Sequence, residues 1–154
     1  MGEVERIGDQ LRRGYEGDAW HGPSLRELLA TTTRGQAAKR PIPGAHTIWE
    51  IAVHIGAWES VVRRRLLGET ITGLAPDQDW PAVKNVTEPA WRKTLEELEQ
   101  GHLQMREAIA EVSDERLSET VPGKGYTVYV MLHGVIQHDL YHAGQIALLK
   151  KALA

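Results

Sequence analysis

Apolar residues recur at three- and four-residue spacing through four long stretches of the chain, and nowhere do they alternate in the period of two that a half-buried strand requires. Val4, Ile7, Leu11 and Tyr15 form the first stripe. The second begins after Thr47, whose pairing with Glu50 three residues on makes a capping box, and it predicts a helix from about Ile48 to Leu67 that ends before Gly68. Trp91, Leu95, Leu98, His102, Met105, Ile109 and Val112 form the third. A fourth helix should start near Thr127 and run almost to the C-terminus.

The connections have turn chemistry. Gly14 to Pro23 break the first stripe, a short apolar segment follows at Leu25, Leu28 and Leu29, and the prolines of RPIPGA (40–45) hold the chain extended. Residues 69–86 read as a long loop carrying Asp79, Trp80 and Pro81, and since loops of that length are often functional, this one is a candidate lid over a site. With no strand to pair, the expected fold is all-α, a four-helix bundle with a long loop between its second and third helices, in one domain over residues 1–154.

Charge and composition restrict the function. A net charge of −3 argues against nucleic acid as partner, and the one basic run, Arg63 to Arg65, spreads over most of a helix circumference and reads as solvated. Without cysteine there is no thiolate ligand or nucleophile from the protein itself. No apolar run approaches the ~18 residues of a membrane span, and MGEVERIGDQ is too charged for a signal peptide, so the expected setting is cytoplasmic, with no membrane partner.

The residues that resist a plain packing role are histidines. On a wheel at about 100° per residue, Met131, Val135, His138, His142, Gln145 and Leu149 share one side of the last helix. His54 shares the inward face of the second helix with Ile51, Trp58, Val61 and Arg65. Inward imidazoles need partners. The i, i+4 pair is placed either to make core hydrogen bonds or to share one metal ion with a third ligand from a facing helix, and neutral imidazole suits zinc, nickel, copper or iron.

Two segments, HTIWEIAVHIGAWE (46–59) and LHGVIQHDLYHAGQIALLKK (132–151), resemble the signature segments of the DinB/YfiT-like superfamily, and GDAWHGPSL (17–25) with the DW of the central loop extends the resemblance over most of the chain. It implies a four-helix bundle whose metal, commonly nickel or zinc, is held by three histidines, here His54, His138 and His142. It also implies a homodimer. Characterised members include transferases and an isomerase that use a low-molecular-weight thiol.

Around those ligands, Gln145, Asp139, Glu50 and Trp58 are candidates for orienting or substrate contacts, and His21 for the pocket mouth. Each has a plainer role as well. Glu50 is the capping partner of Thr47, Asp139 is turned about 100° from His138 toward solvent or a neighbouring helix, and Trp58 is core. His102, on the third stripe, reads as a partly buried core or rim residue, while Tyr126 and Tyr141 could serve as acids near the mouth. Three protein ligands leave a metal open to substrate, for a bound hydroxide or a substrate thiolate alike. The resemblance tilts the choice to a transferase that activates a small thiol for attack on a small electrophile, with a metal-dependent hydrolase and a non-enzymatic, metal-stabilised bundle as the alternatives.

Overall fold

A computed structural model describes residues 1–154 and is all-helical. The helices are α1 (Glu3–Tyr15), α2 (Leu25–Ala30), α3 (Arg34–Ala38), α4 (Ile48–Leu66), α5 (Pro76–Asp79), α6 (Glu88–Ala110) and α7 (Val128–Leu153), with a short 3-10 turn at Glu115–Ser118. The four expected stripes become α1, α4, α6 and α7. The segment 25–29 is a helix of its own, and the long loop is interrupted by α5.

Hydroxyl caps set the helix starts. Ser24, Thr33, Thr47, Thr87 and Thr127 each accept from the backbone N–H three residues on, and Glu50 returns the bond to the Thr47 N–H at 2.7 Å. Helix α4 packs against α6 and α7, and α1 against the same two. No helix is long and apolar enough to cross a membrane.

The apolar interior falls into two clusters. One joins Tyr15, Leu25, Ile48, Ile51, Ile55, Trp91, Leu98, Ala143, Ile146 and Leu149. The other joins Ile7, Leu11, Val62, Leu66, Met105, Ile109, Met131, Leu132 and Val135. The gap between them falls at the same level on three helices. On α4 it holds Glu59, on α6 His102 and on α7 Asp139, all buried. A polar layer thus crosses the core, and the histidines predicted to meet lie beside it.

A histidine cluster at the wall of an apolar groove

His54 comes from α4, and His138 and His142 come from adjacent turns of α7. Their ligand-capable ring nitrogens lie within 4.8 Å of one another. His54 and His142 are 5% exposed. Tautomers follow from what the other ring nitrogens touch. His54 Nδ1 lies 2.7 Å from the Asp79 carbonyl oxygen and His142 Nδ1 lies 2.7 Å from Gln145 Oε1, and since those oxygens only accept, both Nδ1 atoms carry the proton. Each Nε2 is left with a lone pair.

His138 completes the set. Its Nδ1 faces Asp139 Oδ1 at 3.6 Å, slightly beyond a hydrogen bond, and neither atom has another partner. Its Nε2 stands 3.1 Å from His54 Nε2. Nitrogens bound tetrahedrally to one metal at the usual 2.0–2.1 Å would be roughly 3.3 Å apart. Lone pairs gathered this closely repel unless a proton or a cation lies between them, so the donor set fits a divalent metal of the imidazole-preferring kind. Burial also disfavours charge on two of the rings, as ligation requires: it lowers His54, and pushes His142 down to about 4.

The segment 69–86 supplies the rest of the setting. It brings Asp79 and Trp80 onto His54, whose ring stacks on the Trp80 indole at 3.7 Å. His46 stacks on the opposite side of that indole at 3.5 Å. Trp58 Nε1 donates to Asp79 Oδ1 at 2.7 Å, so the carboxylate is fixed where it also approaches His54 Nδ1 at 3.2 Å. An apolar groove of about 540 Å³ opens from the histidines between α4 and α7, lined by Trp58, Val62, Met131, Val135, Tyr126 and Tyr141 among others.

Gln145, Asp139 and Trp58 adjoin the cluster, whereas Glu50 and His21 do not. Glu50 is held by Thr47 and pairs with Arg40 at 2.7 Å. His21 is exposed and lines a separate depression with Leu28 and Leu140. One reading from the sequence is resolved and two need correction. Asp139 is not solvated: it is the interhelical alternative, buried on α7 beside His138 and next to Glu59 of α4. His102 is not a rim residue: it has no exposure, and the Tyr15 ring stacks on it at 3.8 Å. Arg65 is not solvated, because the groove side of α4 buries it to 4% exposure.

Sequence reasoning passed over Glu59. Its Oε1 accepts from His102 Nδ1 at 2.9 Å, and Asp139 is its other neighbour. Burial and the Asp139 carboxylate push Glu59 well above the usual carboxylate range, and burial raises Asp139 as well. Two neighbouring buried carboxylates cannot both ionise cheaply, which favours one proton between Glu59 and Asp139, whose Oε2 and Oδ1 have no other partner. The available signal was positional. Glu59 sits one turn after Ile55 and one before Val62, inside an apolar stripe.

Helices α4 and α7 thus gather three imidazoles where an apolar groove begins, and helix bundles can hold a metal through side chains of facing helices. The chain belongs to the DinB superfamily, whose family model matches residues 19–146. No curated protein and no solved structure matches it.

Proposed function

We propose that His54, His138 and His142 hold a divalent transition metal, nickel or zinc, and that the protein is a transferase that activates a low-molecular-weight thiol for attack on a small electrophile. The observation that carries this reading is the convergence of three imidazoles, their ligand-capable nitrogens within 4.8 Å of one another, where the groove begins. A metal there would bind an incoming thiol as its thiolate and leave it nucleophilic at neutral pH.

The chain's own residues favour transfer over hydrolysis. Asp79 is the one carboxylate lining the groove, and it is engaged by Trp58 and His54, so no acidic side chain stands free as a base for an attacking water. A thiol needs less help, since its proton leaves readily once the sulfur is bound. Val62, Met131 and Val135 exclude water from the space an electrophile would occupy. Tyr141, exposed and lining the groove, would serve in this reading as the proton donor to a leaving group.

The experiment is to incubate zinc- or nickel-loaded protein with bacillithiol, mycothiol or glutathione and a generic electrophile, beside the His54→Ala variant. Conjugation above the variant's rate with one of the thiols is expected. Equal rates with all three would count against transfer, and metal-dependent turnover of an ester or amide without thiol would establish hydrolysis instead.

A further inference from the structure

Arg65 lies in the wall of the same groove, away from the histidines, with 4% of its surface exposed. Its bonds go only to uncharged oxygens. Nε and Nη2 donate to the Ile71 carbonyl at 2.9 and 2.6 Å, and Nη1 donates to the Tyr126 hydroxyl at 2.9 Å. Its neighbour Arg64, on the outer face of α4, is paired with Glu69, whereas no carboxylate lies within the 4.0 Å of an ion pair to Arg65.

A guanidinium carries five N–H groups, so these three bonds leave two donors, one on each terminal nitrogen, without a protein partner. A permanent cation buried without a counter-ion is unfavourable, and a ligand that supplies the missing charge would relieve that cost. One positive charge with two free donors matches a carboxylate, which guanidinium binds through paired hydrogen bonds. A phosphate dianion would leave a buried surplus of negative charge.

The rest of the groove defines the body of such a ligand. Eleven residues separate His54 from Arg65 on α4, about 16 Å along the helix axis. Val62, Met131 and Val135 line the space between. We infer that the groove takes an elongated apolar molecule with a terminal carboxylate, seated on Arg65 and Tyr126, with its other end at the three histidines. The inference depends on the proposed function only for what happens at the histidine end.

It is therefore tested without metal. Chelated protein is titrated with octanoate and with 1-octanol, which share the apolar chain and differ in the charged end, and binding is followed by calorimetry and by the fluorescence of Trp58 in the groove wall. Octanoate should bind on the order of ten-fold or more tightly than octanol, the margin of a charge-assisted hydrogen-bond pair. Arg65→Gln should bring that ratio to near one, and Tyr126→Phe, which keeps the guanidinium but loosens it, should lower it a few-fold. Equal affinity of acid and alcohol for the wild type, failure to bind either, or a ratio unchanged in Arg65→Gln would each overturn the inference. Should Arg65→Gln not fold, the wild-type ratio and Tyr126→Phe decide it. None of these outcomes depends on whether the histidines load with metal.

Discussion

Glu59 Oε1 and His102 Nδ1 meet at 2.9 Å with neither side chain exposed to solvent, a polar contact between α4 and α6 at the level where the core's two apolar clusters part. Through Asp139 this pair is joined to His138, so the layer that interrupts the core also backs the histidine cluster. Glu59 accepts from His102 and stands beside Asp139, and burial with that carboxylate disfavours its charge.

Because burial beside Asp139 disfavours charge on Glu59, Glu59→Gln is a mild change: the amide is neutral and can still accept from His102. Thermal melting should place Glu59→Gln within a few tenths of a kcal/mol of the wild type. Glu59→Leu should cost about 2–4 kcal/mol, because it strands the His102 N–H and the Asp139 carboxylate in the interior. A leucine variant as stable as the wild type would contradict this account of the layer.

His102 should make stability pH-dependent. Burial, with Arg106 and Arg26 nearby, pushes it down to about 3, against an ordinary value of 6.5. The groups facing it are Glu59 on α4, Tyr15 on α1 and Asp139 on α7. A folded-state value below the unfolded one means the unfolded chain takes up the proton first. The contribution of His102 is therefore fully present above about pH 6.5 and lost as pH falls from there toward 3. Melting curves of chelated protein should decline more steeply over that window for the wild type than for His102→Gln; parallel curves would show that His102 does not titrate as described.

Much of this arrangement could be read from the chain. The spacing of apolar residues located α1, α4, α6 and α7, with the start of α6 falling three residues before the first stripe residue Trp91, and the Thr47–Glu50 box marked where α4 begins. His54, His138 and His142 were legible because each interrupts an apolar stripe. Glu59 and Asp139 interrupt stripes in the same way, but carboxylates are ordinary on helix surfaces, and nothing local marks which ones a third helix will cover. Arg65 was obscured by Arg63 and Arg64, which do reach solvent or its edge. The contact of Asp79 and Trp80 with His54 depends on how residues 69–86 fold back, which periodicity cannot report.

If Asp139 orients His138, then Asp139→Asn, which keeps the shape and removes the charge, should weaken metal binding by about 10–100-fold with the fold retained. Gln145→Leu should act similarly, since it removes the acceptor that fixes the His142 tautomer at 2.7 Å. Competition titration against a chromogenic chelator measures both. Affinities equal to the wild type would mean that the three rings hold their positions without these neighbours.

The central claim is that three imidazoles from α4 and α7 form one metal site. Elemental analysis of protein purified without an affinity tag, beside His54→Ala, His138→Ala and His142→Ala, tests it most directly. One equivalent of nickel or zinc in the wild type, falling below about a tenth in each variant whose circular dichroism remains helical, is the predicted result. No stoichiometric metal in the wild type after incubation with either ion, or full occupancy in a folded variant lacking one of the three rings, would contradict it.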